Sequence, residues 1–409
     1  MSVKDYLLSQ HRQSGANVFS INEKLSHSLI ALSCLAYLLQ FNNLDMLNDN
    51  NLPLAQYAAE YWIAHVQSGG NEWTNTQLKL VTTLFQPQHT TPFISWVRLL
   101  DIDHPWQSLR GKNFNIPSTI YYASLSGLLP VVQALLENGA EVNAREGEYG
   151  SALQAASYKG NEAIVGLLLE KGADVNLQGG HFGNALRAAS SEGHGAIVSM
   201  LLEMGADVNV QGGKYGNALQ VASLMGHRAV VGVLLERGAD VNQQGGYYGN
   251  ALQAASYADH EAFVGVLIEK GADVNSKGGK YGSALQAASL EGHKAIVGML
   301  LEKGADVNAY GGEYGNALQA ASLAGHEVIV DILLKKGAVV NAYGGEHGYA
   351  LQAASSKGHD AIVNILLEKG ADVNAQGGEY RNALQAASYR GQKAIVGLLL
   401  EKGAVREVR

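Results

Sequence analysis

Ser151-Ala-Leu-Gln-Ala-Ala-Ser-Tyr-Lys-Gly-Asn-Glu-Ala-Ile-Val-Gly-Leu-Leu-Leu-Glu-Lys-Gly-Ala-Asp-Val-Asn176, closed by Leu177-Gln-Gly-Gly-His-Phe-Gly183, is a sentence this chain repeats. Its equivalents open at Asn184, Asn217, Asn250, Ser283, Asn316, Tyr349 and Asn382, a period of 33 residues, and a looser first copy opens at Ser118. A fixed period of this length predicts a stacked solenoid, in which each unit buries its apolar face only against its neighbours. Such stacks offer extended surfaces in place of enclosed pockets, so the first expectation is a binding protein.

Each copy predicts its own structure. Asn or Ser opens seven of the eight regular copies and can cap the first free amides of a helix. Ala-Leu-Gln-Ala-Ala-Ser then reads as a short inner helix whose alanines allow close packing. Gly160 and its equivalents suit the left-handed turn that ends a helix, and Asp259 stands at that position in one copy at a cost of about 1 kcal/mol. Ile164, Val165, Leu168 and Leu169 fall at helical spacing and predict an outer helix. Gly172 stops it, and Ala-Asp-Val-Asn leads into an extended finger carrying Gly-Gly.

The period, the Gly-His between helices, and the run Leu-Leu-Glu-Lys-Gly-Ala-Asp-Val-Asn resemble ankyrin repeats. The family's Thr-Pro-Leu-His opening is altered to Asn217-Ala218-Leu219-Gln220 and its equivalents, where Asn and Gln replace some of the usual side-chain bonds. The wording Gly-Gly-x-Tyr-Gly-Asn-Ala-Leu-Gln-Ala-Ala-Ser is similar to ankyrin arrays of filamentous fungi. There it commonly trails a NACHT nucleotide-binding module in NLR-like proteins. The resemblance implies an all-α ankyrin solenoid over residues 117–409, nine repeats in all, behind a small helical domain.

Composition divides the chain at the same place. All four tryptophans (Trp62, Trp73, Trp96, Trp106) precede residue 117, and 45 of the 49 glycines follow it. Helices are expected over Ile21–Phe41, with Leu25, Leu29, Leu32, Ala36 and Leu39 along its apolar stripe, and over Pro53–Gln67. The second carries Leu54, Tyr57, Ala58, Tyr61, Trp62 and His65 on one side, with Pro at its start. Shorter helices are expected over Thr76–Phe85 and Thr91–Leu100. This leader, 1–116, resembles the winged-helix-like segment that joins a fungal NACHT module to its array. The residues that carry the likeness are His27-Ser-Leu-Ile-Ala-Leu-Ser-Cys-Leu-Ala-Tyr-Leu-Leu39, Pro53-Leu-Ala-Gln-Tyr-Ala-Ala-Glu-Tyr-Trp62 and Ser118-Thr-Ile-Tyr-Tyr-Ala-Ser124. The NACHT module itself is missing: no Gly-x-x-x-x-Gly-Lys-Ser/Thr occurs, and Gly213-Lys214-Tyr215 and Gly279-Lys280-Tyr281 put Tyr where a magnesium-binding hydroxyl belongs. The chain thus reads as a free-standing relative of such receptors, or as one whose start lies upstream of Met1.

The remaining numbers narrow the function. Net charge is −8, nearly all of it in the array, which argues against nonspecific nucleic-acid binding. The N-terminus lacks a signal-type apolar core, and Leu29–Phe41 is too short to span a bilayer, so cytoplasm is expected, or the nucleus when carried by a partner. Cys34 is the single cysteine and reads as a buried structural thiol. His194, His227, His260, His293, His326 and His359 recur once per copy. Stacked copies lie roughly 10 Å apart, too far for shared zinc coordination at ~2.1 Å. Each histidine is therefore expected to order the turn in its own copy. No nucleophile–base–carboxylate set stands outside the repeat, so no enzyme, cofactor or metal is expected.

Partner choice is expected where copies differ. On the exposed end of each inner helix the variable residues include Tyr158, Leu224, Met225, Tyr257, Leu290, Leu323 and Tyr389, which in ankyrin-like stacking line the concave groove. The finger aromatics Tyr149, Phe182, Tyr215, Tyr248, Tyr281, Tyr314, His347 and Tyr380 are nearly constant and predict stacking of neighbouring fingers. The residue before each changes, with Lys214, Tyr247 and Lys280 at the middle of the row and Glu313, Glu346 and Glu379 at its end, a gradient suited to orienting a charged partner. The last copy keeps Ile395, Val396, Leu398, Leu399 and Leu400 without a polar outer face, which predicts fraying or self-association there. The expected partner is another protein, with no membrane and no direct nucleic-acid contact.

Overall fold

The computed structural model describes residues 23–42, 53–69, 73–86, 90–100, 103 and 116–405. Trp106, the Met1 segment and residues 406–409 lie outside them. Twenty-two helices and no strand occur among the described residues, so the protein is all-α there, with isolated bridges only at the fingers. The chain divides into two compact units, Met1–Glu141 and Val142–Arg409. The repeat motif begins at 117, yet the helix pair of its first copy is counted with the leading unit.

That leading unit contains α1 (Glu23–Leu38), α2 (Pro53–Ser68), α3 (Asn75–Leu84), α4 (Thr91–Leu99), α5 (Thr119–Leu125) and α6 (Leu129–Glu137). Thr74 and Gln77 form a reciprocal capping box that starts α3, and the Ser118 hydroxyl accepts from the Tyr121 amide to start α5. The core is aromatic. Trp96 packs 5.8 Å from Trp62, 5.3 Å from Phe85, 5.9 Å from Phe93 and 5.8 Å from Tyr122, while its Nε1 donates to the Ala59 carbonyl at 3.1 Å. Ring pairs at these separations add to the free energy of burial itself. Tyr122 explains why the first copy sides with the leader: at the position of the array's Ala155 it supplies a ring to that core.

One expectation is corrected here. The face of α1 that packs is Ala31, Cys34, Leu35 and Leu38, and that of α2 is Ala55, Ala58, Ala59, Trp62 and Val66. Of the residues set along one stripe of each helix, Leu25, Leu29, Ala36, Leu54, Tyr57 and Tyr61 are exposed. Small residues allow the two helices close approach, and this rotates the larger side chains outward. His27 and His65 approach at 2.8 Å through their Nδ1 atoms, one donating to the other, and Tyr57 bonds His65 Nε2 at 2.9 Å. Burial, helped by His27, holds the His65 pKa below its usual value.

The second unit repeats one construction. Ser151, Asn184, Asn217, Asn250, Ser283, Asn316 and Asn382 each accept from the amide three residues on, which starts the inner helix; Tyr349 does not. The inner helix runs as Ala152–Lys159 in its first regular copy, with Ala155 and Ala156 fully buried, and Gly160 ends it at φ +76°. Glycine is required twice over, because a Cβ there would also lie 2.6 Å from His194 of the next copy. Asp259 adopts φ +60° in the same place, and its carboxylate lies 3.2 Å from His293 Nδ1, a local compensation that the sequence did not reveal. The outer helix, Glu162–Glu170, buries Ile164, Val165, Leu168 and Leu169.

Three sets of hydrogen bonds join neighbouring copies, and a fourth, from glutamine, ties each inner helix to the finger that closes its copy. His194 Nε2 donates to the Tyr158 carbonyl at 3.0 Å, and His227, His260, His293, His326 and His359 do the same to Ser191, Leu224, Tyr257, Leu290 and Leu323. Each histidine thus ties its copy to the preceding one, beyond the expected role within its own turn. A carbonyl only accepts, so Nε2 carries the proton. Asn176 accepts from the Asp207 amide at 2.9 Å and donates to the Gly205 carbonyl at 3.0 Å, a pattern repeated along the array. Gln220 donates into the next finger at Gly245 and Gly249. Finger tips share one backbone bond at every junction but that between 181 and 214, as in Tyr247 N–H to the Lys214 carbonyl at 2.8 Å.

Candidate functional site

The inner-helix ends and the fingers bring the variable residues of the second unit onto related positions. Tyr158 is half-buried, its ring 4.4 Å from Tyr149 and 5.3 Å from Phe182. Tyr257 sits likewise, 5.2 Å from Tyr248 and 4.9 Å from Tyr281. Both extend the finger stack inward. Leu224, Leu290 and Leu323 are half-buried, whereas Met225 is 42% and Tyr389 77% exposed. Tyr389 lies 5.5 Å from Tyr380, with the Arg390 guanidinium over both rings.

The finger aromatics stack at five of their seven junctions: Tyr149–Phe182, Phe182–Tyr215, Tyr248–Tyr281, Tyr281–Tyr314 and His347–Tyr380 have centroids 6.0–6.4 Å apart and interplanar angles of 25° or less. Burial pushes the Tyr248 pKa up to about 12 and raises that of Tyr281, which also bonds Tyr257. Burial lowers the pKa of His347, against the opposing pull of Glu346 and Glu379.

Lys214, Tyr247 and Lys280 come together. The Tyr247 ring lies between two ammonium groups, 5.7 Å from Lys214 Nζ and 5.4 Å from Lys280 Nζ. Lys280 also pairs with Glu313 at 3.2 Å, and its bonds to Tyr247 and Glu313 raise its pKa. The basic middle of the row is therefore partly neutralised from within, and Lys214 is its more available cation.

Two features escaped the sequence reading. Tyr310 and Tyr343, 59% and 60% exposed, lie over the glycines Gly344 and Gly377 of the following finger. Their signal was present, since other copies carry Gln178, Gln211, Gln244, Lys277 or Gln376 at that position. Arg187 is the other: it is 2% exposed and stands where seven copies have Gln. Among the described residues no helix is long and apolar enough to cross a membrane, and no three His, Cys, Asp or Glu side chains converge on a metal position.

Comparison with known proteins follows the same lines. A family model described as "Ankyrin repeats (3 copies)" matches residues 107–179, 153–245, 219–311, 309–377 and 346–408. "Azaphilone pigments biosynthesis cluster protein L" of Monascus ruber is 40% identical over 172 residues, which are 38% of this chain and 36% of that protein. The similarity thus spans little more than a third of the relative's length.

Proposed function

The chain belongs to the ankyrin-repeat family, and from that premise we propose that it is a non-catalytic scaffold or adaptor holding a partner protein along its inner-helix ends and fingers. One observation carries the reading. Most of what joins copies is repeated, whereas Tyr158, Leu224, Met225, Tyr257, Leu290, Leu323 and Tyr389 differ at two adjacent helix positions with part of each side chain left accessible. A rigid array presents such contacts preorganised, which limits the ordering cost of association. Aromatic and aliphatic anchors of this kind dominate interface energy elsewhere.

The pathway has two readings. In the first, suggested by the sequence resemblance of leader and array to NLR-like proteins, the chain serves a fungal defence or self-recognition system. The name of the Monascus relative favours a second, a regulatory cofactor such as a transcription co-regulator of a metabolic gene cluster. Nuclear localisation with a transcription-factor partner separates the two.

The test is co-purification from native cells, followed by reconstitution from pure components, with wild type against a chain carrying Met225→Glu, Leu290→Ser and Leu323→Ser. These positions avoid the stacked rings that hold the fingers. A stoichiometric partner lost only by the variant supports the scaffold reading. Capture of a second copy instead assigns the contact to self-association at the last repeat. Absence of any reconstitutable complex overturns the scaffold reading.

A further inference from the structure

We propose that the junction between the fingers at 179–183 and 212–216 is a carboxylate-binding slot that reads an acidic side chain of the partner protein. The proposal rests on the scaffold reading for the source of that carboxylate, and on three separate observations for the slot.

The first is the buried cation. Where Gln220 sends its amide to Gly245 and Gly249, Arg187 sends Nη1 to the Gly212 and Gly216 carbonyls at 2.9 and 2.8 Å, and Nε to Phe182 at 2.5 Å. Carbonyl dipoles are its only partners. No carboxylate among the described residues pairs with it, and Nη2 finds no acceptor. Nη2 lies beside Gly183 and Gly212, where a Cβ on Gly183 would collide with it.

The second is a missing bond. Neighbouring tips are joined by His181 N–H to Glu148, Tyr247 N–H to Lys214, Lys280 N–H to Tyr247 and Glu313 N–H to Lys280, at 2.8–2.9 Å. Between 181 and 214 that bond is not made, and the Lys214 amide has no acceptor among the described residues. The backbone at the tip is wider there, although the rings keep their 6.2 Å spacing: a Cβ on Gly213 would lie 3.8 Å from the His181 carbonyl oxygen, against 2.9 Å from the Lys214 oxygen for Gly246.

The third is the Lys214 side chain, exposed and held only by the Tyr215 and Tyr247 rings, each 5.7 Å away. Among the described residues, one finger therefore carries an amide without an acceptor and a lysine without a counter-ion, and its carbonyls hold a second unpaired cation, Arg187 of the inner helix. An oxyanion entering the gap accepts from the Lys214 N–H and Nζ, with the Arg187 charge behind them in a medium that screens it poorly. The chain as a whole carries −8, so attraction of an acidic segment must be local.

The probe is a fluorescein-labelled hexaglutamate peptide, measured by anisotropy on the full chain, with exchange of the Lys214 amide followed by NMR. Saturable binding that slows Lys214 exchange is expected. Arg187→Gln, which restores the residue of seven other copies, and Lys214→Gln should each weaken binding roughly tenfold, the scale of one lost charge-assisted bond. Lys369→Gln, at an exposed lysine that ends the outer helix of a later copy, should leave it unchanged. Lack of saturation, or equal binding by Arg187→Gln, would overturn the slot. Inorganic phosphate competing as strongly as the peptide would overturn its assignment to an acidic side chain. Because the probe is a peptide, failure here leaves the scaffold reading standing, and failure to capture a partner leaves the slot testable.

Discussion

The two units hold themselves together by opposite means. In the leading unit, five aromatic residues from positions as distant as 62 and 122 meet in one core, and each ring is unique. In the array the core is largely alanine and short aliphatic side chains, and what distinguishes each joint is a set of hydrogen bonds at recurrent separations. The leader depends on bulk; the array depends on hydrogen bonds that recur from copy to copy. A domain of the first kind loses most from cavities. A stack of the second kind is a sum of near-equal joints, in which damage stays next to its site.

The strongest way to break this contrast lies in the leader. Phe93→Ala empties space against Phe85, Trp96 and Tyr122 and should cost about 3–5 kcal/mol. Tryptophan fluorescence during urea unfolding checks it, because all four tryptophans precede residue 117. In the array, His227→Ala removes the bond to the Ser191 carbonyl and should cost about 1–2 kcal/mol, read by circular dichroism. An unchanged midpoint would show that the histidine ties are ornamental and that burial governs both units. The finest test adds a bond. Asp174, Asp207, Asp240, Asp273, Asp306 and Asp372 each accept from the amide two residues on at 2.9 Å, but Val339 stands at that position in its copy. Val339→Asp should therefore stabilise by about 0.5–1 kcal/mol, measured the same way.

Legibility followed the same divide. The array could be read because its local signals agree: the cap at Asn217, the glycine at Gly160, and the apolar spacing from Ile164 to Leu169 each specify one element and recur. The stacking of Tyr149 on Phe182 was also foreseeable, since a near-constant aromatic on a finger needs a partner. The histidine bonds were half-read, because a residue 36 positions from its acceptor looks local until copies are placed side by side. In the leader, helix positions were right to within two or three residues at the ends described, yet the packed face was not. Periodicity weighs Leu25, Leu29 and Leu54 by hydrophobicity, whereas the α1–α2 approach is set by small Ala31, Ala55, Ala58 and Ala59. In the candidate site, Arg187 was overlooked because one changed letter in a repeat resembles drift, and only its three carbonyl partners show what it displaces.

Fixed separations between partners have a consequence for how this gene can change length. His to carbonyl spans 36 residues, Asn to amide 31 and Asn to carbonyl 29, and none of these counts depends on which copy is involved. Unequal crossing-over that deletes or duplicates 33 codons therefore regenerates every joint on new neighbours, and alleles of different copy number should all fold. Two junctions are exempt. Asp259 pairs with a histidine that the last copy, with Gln392, does not supply, and Arg187 stands in for the usual Gln, so recombination through either leaves a recognisable scar.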